Sequence, residues 1–231
     1  MQVQEKNIKG FNLIELLVVI AIISVISAAA YPNFSSWKKA REVRGAAVKI
    51  KSLFTNINSQ VQRGLYGFVQ VEVTALKTGE VVVISKGMKL SNLSSKINYS
   101  KDVWNVDQTS RCALVQDWDD KGMSEGIKSN KLEVSFLKFD DIAVNFEAKS
   151  GTAKSGTVCF SKDGSWYSTA EEFESSGAFY ICEVKEIKCD VKDNGDPNDL
   201  NHDNLFALNW SRFGNITLEK WSKSKSEWIL Q

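Results

Sequence analysis

Lys9-Gly-Phe-Asn-Leu-Ile-Glu15-Leu-Leu-Val-Val-Ile-Ala-Ile-Ile-Ser-Val-Ile-Ser-Ala-Ala-Ala30-Tyr-Pro32 is the stretch that decides how this chain is built. From Phe11 to Ala30 it is apolar apart from Asn12, two serines and one carboxylate. As a helix this run is about 30 Å long, enough to cross the hydrocarbon of a bilayer. Lys6 and Lys9 precede it and favour leaving that end in the cytoplasm. A plain single-pass anchor would fit, and so would a secretory signal cut near Ile26-Ser-Ala-Ala-Ala30. Glu15 argues against both, because a carboxylate inside an apolar helix costs roughly 2.5–3.5 kcal/mol. An anchor or a signal gains nothing from that cost, so the charge calls for a partner.

Outward from the run, Pro32 removes one helical hydrogen bond and crowds the preceding turn, which predicts a kink or local melting. From Asn33 the pattern becomes amphipathic. Ala40, Val43, Ala47, Ile50, Phe54, Ile57 and Val61 recur at three- and four-residue steps. Lys38, Lys39, Arg41, Glu42, Arg44, Lys49 and Lys51 fill the other side, either as a solvated face near anionic headgroups or as a contact with acidic neighbours. One helix from Phe11 to about Gln62 would be roughly 78 Å long, with its second half laid on a sheet.

After Gly64 the chain turns to short β-type runs bounded by Gly, Asn, Asp or Ser. The candidates are Phe68–Val73, Glu80–Ile84, Cys112–Gln116, Lys131–Phe136, Ile142–Phe146, Gly156–Phe160, Ala178–Val184, Leu205–Trp210 and Asn215–Lys220. They exceed what one small sheet needs, so two packed sheets are expected. The expected fold is α+β: a long amino-terminal helix packed on an antiparallel β-sheet head. The expected organisation is residues 1–10 as a leader, 11–31 as a transmembrane or filament-core helix, 32–64 as the amphipathic continuation, and 65–231 as a β-rich head.

Composition narrows the function. The chain has 231 residues, 43% apolar and 25% charged, as in ordinary globular proteins. A net charge of +1 gives no general argument for nucleic acid. Four cysteines (Cys112, Cys159, Cys182, Cys189) contain no C-x-x-C pair and the single histidine is His202, so a Cys/His zinc site is not indicated. Four cysteines allow three disulfide connectivities. A bridge between Cys159 and Cys182 is favoured, because their strands can be neighbours, with the other pairings open. Cys182 and Cys189 would lie about 23 Å apart on a straight strand, out of reach unless the chain turns. No nucleophile, cofactor loop or phosphate cradle accompanies the acidic turn Asp117-Trp-Asp-Asp-Lys-Gly122 or the isolated His202, so the chain is not expected to be an enzyme.

Gly10-Phe11-Asn12-Leu13-Ile14-Glu15-Leu16-Leu17-Val18 resembles the prepilin motif of type IV pilins and type II secretion pseudopilins: a short basic leader, Gly, Phe, and a Glu offset into an apolar helix. Asn12 stands where Thr is commonest in that family. The resemblance implies cleavage between Gly10 and Phe11 by prepilin peptidase, N-methylation of Phe11, and an inner-membrane single-pass state with a periplasmic head. An inner-membrane assembly platform would then draw the chain into a pilus or pseudopilus beside other pilin subunits. Glu15 would answer the positive Phe11 amine of a neighbour and set the register of the helices, with desolvation offsetting part of the gain. A Pro at the offset of Pro32 is also common in pilins.

Two parts of the head resemble minor pilins of the GspH/FimT group: Gly156-Thr-Val-Cys-Phe-Ser-Lys-Asp-Gly164, with its Asp-Gly turn, and the closing hairpin Leu205–Leu218 around Gly214-Asn215. With a mature length beyond that of most major pilins, this implies a minor subunit. In part of that group a basic carboxy-terminal region binds DNA. Lys220, Lys223 and Lys225, with Trp221 and Trp228, would be the agents here, and a solvated packed tail is the plainer reading. The competing function is thus a tip binding module engaging DNA or an exported substrate. Some major pseudopilins hold calcium in a late loop. Asp190, Asp193, Asp196 and Asp199 could supply oxygens for Ca²⁺, though Lys192 and the lack of a twelfth-position Glu break the EF-hand pattern and a solvated acidic loop suffices. Otherwise no cofactor is expected.

Overall fold

The computed structural model describes residues 12–76, 80–99, 111–112, 132–148, 151–153, 155–169, 172–174, 177–184, 189, 191–192, 195–198 and 204–231. Two compact units, Met1–Lys39 and Ala40–Gln231, divide the chain. Helix α1 runs Leu13–Gln62, 50 residues, and its helical backbone continues past Pro32, so the chain does not unwind there. The helix stops at Gly64, whose φ of 79° suits glycine. Leu65 N donates to Gln60 O at 3.0 Å and Gly64 N to Val61 O at 2.9 Å, the paired bonds of a Schellman cap.

In the second unit, β1 (Phe68–Ala75), β2 (Val81–Met88), helix α2 (Leu90–Tyr99), β3 (Leu132–Phe139), β4 (Ile142–Ala148), β5 (Gly151–Ala153) and β6 (Ser155–Ser161) come first. Then follow β7 (Gly164–Thr169), β8 (Glu172–Glu174), β9 (Gly177–Glu183), β10 (Leu205–Trp210), β11 (Ile216–Ser222) and β12 (Glu227–Leu230). They form two six-stranded sheets, ordered β3-β2-β1-β6-β7-β8 and β12-β11-β10-β9-β4-β5. The described pairings are antiparallel.

The central core brings together one face of each sheet and the apolar stripe of α1. Val43, Ala47, Ile50, Phe54, Ile57 and Val61 are buried with Val69, Val71 and Val73 of β1, Phe146 of β4, Phe179 and Ile181 of β9, and Phe206 and Leu208 of β10. Phe54 is the hub, with ring centroids 5.8 Å from Phe160, 5.9 Å from Phe179 and 6.3 Å from Trp210. Each sheet is also covered on its other side. Phe68, Met88, Leu93, Cys112, Cys159 and Trp166 form an outer core on the first sheet. Ala143, Tyr180, Cys182, Cys189, Val191, Ala207 and Trp221 form one on the second. A sheet buried on both faces needs no polar alternation, which is why Val158-Cys-Phe160 and Ala178–Cys182 read as continuous apolar runs.

The disulfides differ from the expected Cys159–Cys182 bridge. Cys112 pairs with Cys159 and Cys182 with Cys189, each with Cα atoms 5.7 Å apart. Strand parity explains the correction. Val158 and Phe160 point into the central core, so Cys159 points to the outer side of the first sheet. Ile181 points inward on β9, so Cys182 points to the outer side of the second. The two sulfurs lie on opposite outer faces with the central core between them. Cys189 returns over the outer face of β9, the turn that separation along a straight strand had set aside. Cys112 was also expected to start a strand; residues 111–112 are helical instead.

Candidate assembly site at the amino-terminal helix

The cleavage pair Gly10 and Phe11 lies outside the described residues, and description begins at Asn12. Asn12 is the N-cap of α1. Its side-chain Oδ1 accepts from Ile14 N at 3.4 Å, and its carbonyl accepts from Leu16 N at 3.2 Å. Asn ranks with Ser, Asp and Thr at this position, because a short side-chain acceptor satisfies an otherwise orphaned N–H. Asn12 therefore caps the helix as a Thr at this position would. Glu15 follows three residues later in the first turn and is exposed. Asn12-x-x-Glu15 has capping-box spacing, and the positive end of the helix dipole favours a carboxylate there by about 0.3–1 kcal/mol. This helix start was readable from the sequence, although only Glu15 had been singled out.

The turns that follow expose apolar surface on every side. Leu13 is 78% exposed, Val19 47% and Val25 71%, and Ile14, Leu16, Leu17, Ile22, Ile23 and Ile26 are exposed between these extremes. Ser24 donates its hydroxyl to Ile20 O at 2.7 Å, so it brings no unmet donor into an apolar medium. A helix apolar all round has to be covered by lipid or by other helices. Among the described residues no helix is long and apolar enough to count as a membrane span.

The other candidate residues are scattered. Lys220, Lys223 and Lys225 belong to the β11–β12 hairpin, a paired edge of the second sheet rather than a loose tail. The Lys220 Nζ lies 5.9 Å from the centroid of the Phe206 ring, and Lys225 pairs with Glu227 at 3.6 Å. Trp221 is 4% exposed and stands opposite Trp228, their rings 5.5 Å apart and edge to face, so it offers no free face to a base. Lys220, Ser222, Lys223, Ser224, Ile229 and Gln231 border an open depression of about 720 Å³.

Asp190, Asp193, Asp199, His202 and the Asp117–Gly122 turn lie outside the described residues. Asp196 sits in a tight turn: Lys192 N donates to its carbonyl at 2.7 Å, and Val191 bridges to Pro197. Among the described residues, no three His, Cys, Asp or Glu side chains come together as a metal group.

The two hairpins singled out in the sequence meet in space. Ser165 N donates to Arg212 O at 2.9 Å, and the Ser165 hydroxyl to Ser211 O. Lys162 and Asp163 form the first turn with Gly164 just after it at φ 137°. Asn58 of α1 donates to Gly214 O at 2.9 Å, tying the second turn to the helix.

Residues 6–31 match the family model described as the prokaryotic N-terminal methylation motif. The chain carries a prepilin methylation motif. The chain is also 40% identical over 47 residues to the type IV major pilin protein PilA of Myxococcus xanthus, covering 20% of this chain and 21% of that one. It is 36% identical over 56 residues to a fimbrial protein of Pseudomonas aeruginosa, covering 24% of this chain and 36% of that one. The chain thus spans about a fifth to a third of the length of these curated relatives. No solved structure matches it. It is type IV pilin-like in carrying this motif and in its similarity to pilins over part of its length.

Proposed function

We propose that the chain is a structural subunit of a type IV pilus or type II secretion pseudopilus, a minor one, and not an enzyme. Prepilin peptidase cuts it between Gly10 and Phe11, Phe11 is N-methylated, and the apolar half of α1 anchors the chain in the inner membrane with its head in the periplasm. The assembly platform then moves it into the filament among other subunits. The observation that carries this reading is Glu15 at the third position of a capped helix, four residues after Phe11 and inside the matched methylation motif. The Glu15 carboxylate pairs with the Phe11 amine of a neighbour and sets the axial register. Minor status draws support from the two hairpins resembling the GspH/FimT group, which pack against each other through Ser165 and Arg212. The test is Glu15→Ala in cells: membrane insertion is retained and filament incorporation is lost. Normal incorporation of the variant removes Glu15 from the mechanism.

A second reading, a tip module that binds DNA through Lys220, Lys223 and Lys225, draws support from the open depression bordered by Lys220 and Lys223. A mobility-shift assay with the full chain at low salt tests it, and absence of a shift rejects it.

A further inference from the structure

We infer that Phe34 and Trp37 form an aromatic anchor seated at the headgroup level of the leaflet on the head side of the membrane, just beyond the end of the apolar run. The inference rests on the membrane-anchored reading above.

Three observations within the first unit carry it. Phe34 and Trp37 are 62% and 56% exposed, although both are large aromatics, and their ring centroids lie 6.0 Å apart. One turn of helix thus presents them as a joined, exposed pair. Secondly, the distance is right. Measured from Leu13, helix rise puts Phe34 at about 32 Å and Trp37 at about 36 Å, where a hydrocarbon core of about 30 Å has ended and the interfacial zone begins. Thirdly, Lys38 and Lys39 follow at once, the charge pattern that marks the water side of such a boundary.

Trp suits this place chemically. Its large ring system is apolar and its indole edge is polar, a combination that favours the boundary between acyl chains and water. The pair fixes the depth of the helix in the bilayer.

The test uses the full chain in lipid vesicles. Trp37 is the only tryptophan before Trp104, so the difference between wild-type and W37F fluorescence reports on it alone. Flotation with the vesicles is measured first. Lipids brominated next to the headgroup are expected to quench the difference signal by about half or more, and lipids brominated at the acyl end to quench it much less. W37F should float as the wild type does, since the apolar run is unchanged. Failure to float overturns the anchored reading and this inference with it. Flotation with equal quenching by both lipids, or stronger quenching from the acyl end, overturns the inference alone. Flotation with no quenching by either also overturns it, and points to a protein neighbour covering the pair.

Discussion

Gln70 and Cys159 stand directly opposite each other across the β1–β6 ladder, and the Gln70 carboxamide donates at 2.8 Å to the carbonyl of Cys112, the residue disulfide-bonded to Cys159. The second sheet repeats the arrangement: Asn145 of β4 donates to the carbonyl of Cys189, which is bonded to Cys182. Gln70 is 1% exposed and Asn145 0%. In both outer cores, then, a returning segment is held twice, once by a disulfide and once by a buried amide. Gln70→Met keeps the volume but leaves the Cys112 carbonyl without that donor. It should cost about 1 kcal/mol, since it also removes the unpartnered Gln70 Oε1. For a chain of this size that lowers Tm by about 2–4 °C, measurable by calorimetry.

The two bridges should differ in worth. Their sequence separations are 47 and 7 residues. On the chain-entropy model the longer loop gives about 4 kcal/mol and the shorter about 2.4 kcal/mol. Replacing Cys112 and Cys159 together by Ser should therefore lower the urea midpoint more than replacing Cys182 and Cys189. The opposite order would show that the returning segment after β9 carries more of the stability than its loop length implies.

Phe54 joins the helix to both sheets. It is wholly buried against Phe160 of the first sheet and against Phe179 and Trp210 of the second. Phe54→Ala should cost about 3–5 kcal/mol, with a fall in near-ultraviolet circular dichroism as the aromatic cluster loosens. A loss under about 1 kcal/mol would mean the three layers do not share one core.

Much of this fold was legible and some was not, for physical reasons. Leu205–Trp210 reads as a strand and is one, and the α1 stripe from Val43 to Val61 is the buried face. Helix α2 was missed because Leu-Ser-Asn-Leu-Ser-Ser-Lys-Ile-Asn-Tyr has weak helix propensity; Leu93 and Ile97 hold it by packing on the outer face of the first sheet. Strand β12 has four residues, too few for a pattern, and exists through its pairing with β11, where Trp221 meets Trp228. The disulfides were half legible. The inward parity of Val158 and Phe160 already sends Cys159 outward, whereas the return of Cys189 over β9 depends on a turn that no local pattern announces. At the amino terminus, Glu15 stood out through its cost, while Asn12 passed as a mere substitution until its capping bonds were seen.

Asn12 is open to direct test. Asn12→Ala removes the cap and should cost the first turn about 1 kcal/mol, while Asn12→Thr should restore it. Hydrogen exchange in detergent micelles reads this out: the Ile14 amide loses protection in the alanine variant and regains it in the threonine one. Unchanged protection in Asn12→Ala would show that the side-chain bond to Ile14 does not hold the helix start.

The proposed assembly role depends on one pairing: the acidic residue among greasy neighbours is answered by a freed, positively charged chain end. Intact-mass and terminal-peptide spectrometry of the protein isolated from its native filaments or membranes measures that most directly. The account predicts a first residue of Phe11 carrying one methyl group on its amine. A product that keeps Gly10, or one trimmed near Ala30, would contradict it.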